Sequence, residues 1–150
     1  KPDRTTICDW IPIFKDELVV WLPSNHPKAE NKSFPLTDLE KEPFIQTSPN
    51  QDTDLDRLIK RNQLKPNTRF TTRDAFSTYN MVSAGLGISF NQRLISKEWN
   101  GHVSEIPFDP PQHISLGIAV PSLLEVSPAT THFLECVKEL IDNKEIIEVE

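Results

Sequence analysis

Residues 74–90 read Asp74-Ala75-Phe76-Ser77-Thr78-Tyr79-Asn80-Met81-Val82-Ser83-Ala84-Gly85-Leu86-Gly87-Ile88-Ser89-Phe90, and this stretch decides the fold class. Asp74 is a strong N-cap, and Ala75, Phe76, Tyr79 and Val82 recur at helical spacing, which predicts a helix with those residues inward. Gly85 then suits the left-handed residue that follows a helix. Gly87-Ile88-Ser89-Phe90 reads as a short buried strand. The order also settles the meaning of Ala84-Gly85-Leu86-Gly87. A dinucleotide-binding turn runs from strand to helix and needs a third glycine where this chain has Phe90, so these glycines end a helix and start a strand.

Upstream, Arg69-Phe70-Thr71-Thr72 reads as a strand, and a helix is expected over about 53–63. Leu55, Leu58 and Ile59 give its apolar stripe, Thr53 with Asp56 resembles a capping box, and Pro66 marks its end. Asp56 and Lys60 stand at i, i+4 on the solvated face of a segment rich in Arg and Lys. Pro43 to Thr47 forms another strand, Leu36 to Glu40 a helical turn, and Leu18 to Leu22 an apolar strand closed by Pro23. Downstream come a short helix at Leu94 to Trp99 and strands at Val103 to Phe108 and Ile114 to Val120, separated by Pro110-Pro111. The closing helix starts at Ser127-Pro128 and sets Phe133, Leu134, Val137, Leu140 and Ile141 on one face. Strands alternating with helices predict an α/β fold with mostly parallel pairing.

The composition excludes several classes. The chain has 150 residues, 37% of them hydrophobic, and a net charge of −6. Its longest apolar stretch, Leu18 to Pro23, is far short of the roughly 20 residues of a membrane helix, and no secretory leader opens it. The acidic balance argues against gripping a phosphate backbone. Thirteen prolines against four glycines punctuate many short elements. Cys8 and Cys136 form no disulfide framework, which points to the cytoplasm. His26, His102, His113 and His132 show no ligand spacing, and no nucleophile elbow occurs. The expectation is no metal, no cofactor and no catalytic residue.

The place to look for a ligand is Gln46-Thr47-Ser48. It ends a strand and leads through Pro49 into the next helix. In parallel α/β sheets, ligands bind at the carboxyl ends of strands, where hydroxyls, amides and helix N-terminal N–H groups converge. Gln46, Thr47 and Ser48 are therefore the expected ligand-binding residues, favouring a small polar or anionic ligand.

Several phrases in order carry a family resemblance. Trp10 to Pro23 with His26-Pro27, then Leu36-Thr37-Asp38-Leu39 with Glu42-Pro43-Phe44-Ile45, then Thr72-Arg73-Asp74 with Met81 to Ile88, then Val126 to Ala129 with Phe133, resemble LysR-type transcriptional regulators over about residues 10–141. The resemblance implies a type-II periplasmic-binding-protein fold, two α/β lobes joined by crossing strands with an effector between them. Residues 16–91 would form the distal effector-binding lobe, and residues 1–15 and 92–150 part of an incomplete proximal lobe. In that distal lobe the effector-binding residues would be Gln46, Thr47 and Ser48, with Thr72 and Phe90 at the ends of neighbouring strands. It further implies a homo-oligomer that meets DNA only through a helix-turn-helix domain outside this chain, and no membrane partner. The alternative is a solute-binding protein of a transport system with the same fold. Where the family often places an apolar run ending in proline after Gly-Ile, this chain has Ser89-Phe90-Asn91.

Overall fold

A computed structural model of the protein describes residues 8–142. In chain order the elements are β1 (Asp9–Pro23), β2 (Phe34–Pro35), a 3-10 turn (Leu36–Glu40), β3 (Pro43–Thr47), α1 (Asp54–Arg61), β4 (Asn67–Thr72), α2 (Ala75–Ser83), β5 (Ser89–Gln92), α3 (Arg93–Ser96), β6 (Val103–Val120) and α4 (Pro128–Asp142). Four strands form one sheet in the order β2-β6-β1-β5, and β3 pairs with β4. Pairing is parallel in β3–β4 and β2–β6 but antiparallel in β1–β5, where Leu18 faces Gln92 and Trp21 faces Ser89. β3 also bridges to the start of β5, since Ile45 N–H donates to Ile88 O and Ile88 N–H to Pro43 O.

The helix boundaries follow local chemistry. Thr53 accepts from Asp56 N–H and starts α1, and Asp74 accepts from Ser77 N–H and starts α2. Gly85, at φ +76°, carries the left-handed turn after α2. Ser127 Oγ accepts from Thr130 N–H ahead of Pro128, as expected of the closing helix. Three readings change. The strands expected at 103–108 and 114–120 are one strand, because on one side the partner β2 reaches only Phe108 and Asp109 and asks no ladder N–H of Pro110 or Pro111. Phe76 turns outward, 56% exposed, and packs edge-on against Trp99. Asp56 does not pair with Lys60. It is buried, and its Oδ1 accepts from Gln46 Nε2 at 3.0 Å. On α4 the expected apolar face is present, with Leu134, Val137 and Ile141 on one side, and no residue of the helix is buried.

The chain divides into two compact units, one of Glu17–His113 and one of the described residues before and after it. In the first, Trp21, Ile45, Tyr79 and Val82 form a buried cluster, with Trp99 and Val103 packed against it. Trp21 meets Tyr79 edge-to-face at 5.4 Å and donates its indole N–H to Ser96 Oγ. Phe90 lies between Phe44 and Phe108, and Phe108 also meets Phe34. Residues 92–113 fall within this unit, where Phe108 is buried and Trp99 packs against the cluster. In the second unit the closing helix lies beside Ile11, Pro12 and Ile118 around an apolar hollow.

Candidate functional site

β3 and β4 run parallel, so their carboxyl ends, Thr47 and Thr72, come out side by side in register. The chain leaves β3 through Ser48, Asn50 and Asp52, all with φ between 45° and 67°. Asn and Asp are the side chains that tolerate this region best. The loop delivers the chain to Thr53, the cap of α1, and Arg73-Asp74 after β4 does the same for α2. Two strand ends and two capped helix N-termini thus meet at one end of this unit.

Three of the five expected residues converge. Thr47 and Thr72 both bond to the hydroxyl of Thr78 on α2, at 2.7 and 2.5 Å. Thr78 Oγ1 also lies 3.1 Å from Asp74 O, and Thr72 Oγ1 3.2 Å from it. Ser48 Oγ donates to Arg73 O at 2.7 Å, and Ser48 N–H donates to Thr72 O. Each hydroxyl has one proton and two lone pairs. If Thr78 donates to Asp74 O, then Thr47 and Thr72 donate to Thr78, and the oxygens of Thr47, Thr72 and Ser48 keep lone pairs for a ligand's donors.

The other two do not join them. Gln46 turns its amide to Asp56, whose second oxygen is buried without a partner among the described residues. Phe90 is wholly buried, its ring in the aromatic core.

A hollow of about 330 Å³ opens between these elements. Thr47 and Ser48 line it with Thr53, Asp54 and Leu55 from the start of α1, Ala75 from the start of α2, and Asn91, Gln92 and Ile95. The first-turn N–H groups of Asp54, Leu55 and Ala75 have no helical acceptor and present the positive end of each helix. A second hollow of about 630 Å³, past Ser48, is lined by Thr72, Arg73, Asp74 and Ser77. Ser77 N–H, donating to Asp74, holds that carboxyl below the usual range, with help from the Ser77 hydroxyl, so the cap of α2 is an anion at neutral pH.

Sequence reasoning missed Asn91. The residue sits on β5 opposite Val19, 4% exposed, and lines the first hollow. No local signal marks it, since β5 reads Ser89-Phe90-Asn91-Gln92 and three of its four residues are polar.

Comparison with known proteins follows the same lines. The family model for the LysR substrate binding domain matches residues 1–142. The HTH-type transcriptional regulator YvbU of Bacillus subtilis (strain 168) is 28% identical over 134 residues, 88% of this chain and 46% of the relative. This chain therefore spans about half the length of that regulator. The regulatory domain of CcmR from Synechocystis PCC6803, solved in complex with 2-PG, superposes with a TM-score of 0.82 at 21% identity, over 95% of this chain and 71% of that one. The effector binding domain of QuiR, in complex with shikimate, gives 0.75 at 20% identity, over 95% and 69%. These likenesses establish the periplasmic-binding-protein-like fold, and the relatives are transcriptional regulators rather than transport proteins.

Proposed function

Because the chain belongs to the LysR substrate-binding domain family, we propose that it is the effector-sensing and oligomerisation part of a bacterial transcriptional regulator. The observation that carries this reading is the hollow where the ends of β3 and β4 meet the N-termini of α1 and α2. It offers hydroxyl oxygens from Thr47 and Ser48 and unused N–H groups from two helices. A carboxylate placed there gains about 0.3–1 kcal/mol from a helix dipole, beyond its hydrogen bonds. The ligand is a small polar or anionic molecule, in keeping with the 2-PG and shikimate held by the two similar domains. Residues 16–91 act as the distal effector-binding lobe, extended by the residues up to His113 that share its core, and the rest contributes to a proximal lobe.

The role is binding without catalysis. What supports this is the family, whose matched relatives are transcriptional regulators. The intact protein works in the cytoplasm and reaches DNA through a helix-turn-helix domain beyond this chain. Effector occupancy shifts the population between arrangements of the regulator. The test is made in the intact regulator with 2-PG and shikimate as probes. Replacing Thr47 and Ser48 together by Ala should weaken binding at least tenfold, whereas Leu58→Ala, in the core, should lower stability and leave affinity alone. Unchanged affinity in the double variant would reduce the turn to a cap.

A further inference from the structure

Asn91 occupies an unusual position. It is 4% exposed, lines the hollow beside Thr47 and Ser48, and uses only half of its carboxamide. Its Oδ1 accepts from the backbone N–H of Gln92 at 2.9 Å. That bond fixes which end of the amide is oxygen, because a backbone N–H can only donate. Nδ2 is left with two N–H donors, and no described residue provides an acceptor for either. Nδ2 is not enclosed, since the one fully buried unpaired side-chain atom among the described residues is Asp56 Oδ2, so its N–H groups reach the space of the hollow that Asn91 lines.

We propose that Asn91 is the specificity-determining residue of this hollow, donating through Nδ2 to a carboxylate oxygen of a small hydroxycarboxylate effector. The surrounding groups divide a ligand's demands in the same way. Asn91 Nδ2 and the first-turn N–H groups of α1 and α2 ask for acceptors. Ser48 Oγ, whose proton is directed to Arg73 O, asks for a donor, and so does Thr47 Oγ1 when Thr47 is the donor in its bond to Thr78. A molecule with a carboxylate and at least one hydroxyl satisfies both sets. A purely cationic or hydrocarbon ligand would leave Nδ2 unpaired, which selects against it. The proposal rests on the effector-site reading above and adds the residue that reads the acid group.

The experiment titrates the 150-residue chain with glycerate, malate and quinate, following the side-chain amide resonances by nitrogen–proton correlation NMR. The Asn91 pair is assigned by its disappearance in Asn91→Asp. That substitution keeps an oxygen for Gln92 N–H while replacing the two donors by an acceptor, and Asn91→Ser removes the donors without adding charge. The expected result is that at least one acid moves the Asn91 pair, and that both Asn91 variants weaken its binding tenfold or more with little change in the thermal midpoint of the free chain. Should an acid bind in a manner sensitive to Thr47→Ala/Ser48→Ala, yet leave the Asn91 resonances in place and bind both Asn91 variants equally well, the assignment of Asn91 is overturned and the site reading stands. Should no acid bind, or binding ignore the Thr47 and Ser48 changes, the site reading fails and this inference fails with it. If Asn91→Asp does not fold, the wild-type resonance shift and Asn91→Ser decide.

Discussion

Single residues in this protein are constrained by what surrounds them more than by their own type. Gly87 is an instance, because a Cβ there would sit 2.6 Å from Pro43 O. That carbonyl accepts from Ile88 N–H and helps join β3 to the start of β5. Gly87→Ala must push the two segments apart, and overpacking of this kind costs about 1–3 kcal/mol. Urea denaturation should show that loss. Gln46 gives a second case. It stands one residue before the hydroxyl pair and was expected to face the ligand, but its amide donates to the buried carboxylate of Asp56. Gln46→Leu should therefore cost about 1–3 kcal/mol of stability, the penalty for stripping a buried acceptor of its donor, and leave ligand affinity unchanged. A Gln46→Leu chain that unfolds normally but loses its ligand would return Gln46 to the site.

At the scale of elements, the caps were legible because capping is local chemistry, set by residues three apart. Thr53 and Asp74 could be read from sequence alone, and so could Gly85 after α2. The orientation of Phe76 and the fusion of two strands into β6 could not, because both depend on partners distant in sequence, Trp99 in one case and the two-residue β2 in the other. Of the site, the hydroxyls at the ends of β3 and β4 follow from strand order. Neither Asn91 nor Phe90 follows in this way, since only the packed structure shows which strand residue enters the aromatic core and which meets the hollow. The caps also set an acid limit. Ser77 N–H lowers the pKa of Asp74, and Lys41 first, then Lys28, lower that of Asp38. A carboxyl with a folded pKa below its unfolded one takes up its proton in the unfolded state first. Its stabilisation is thus complete above the ordinary value of about 3.9 and is lost as pH falls through the lowered folded values. Thermal midpoints should hold from pH 7 to about 5 and fall below about 4, and Asp74→Asn, which keeps an acceptor for Ser77 N–H but does not titrate, should flatten part of that fall. Thr53→Ala, by contrast, should cost about 1 kcal/mol at every pH.

For the molecule as a whole, the balance between charge and apolar surface decides its behaviour in solution. The Glu17–His113 unit encloses Trp21, Phe34, Phe44, Phe90 and Phe108. The other unit does not close over its apolar residues. Leu134, Val137 and Ile141 of α4 face Ile11, Pro12 and Ile118 across a hollow of about 520 Å³, and Leu123, Leu124 and Phe133 are exposed nearby. Exposed apolar area that is contiguous favours association, while a net charge of −6 opposes it by mutual repulsion. Salt screens the repulsion and sulfate strengthens apolar burial, so both changes push the same way. The chain should sediment as a dimer or larger species at tens of micromolar, and added sodium sulfate should increase its mass. Leu134→Glu with Val137→Glu places two charges in the apolar face and should shift the chain to monomer without altering its circular dichroism. If association came instead from ion pairs, salt would dissolve it and the double substitution would have no effect. A wild-type chain that stays monomeric across that range would mean that α4 and its neighbours tolerate water, and the oligomerisation role would have to lie elsewhere in the regulator.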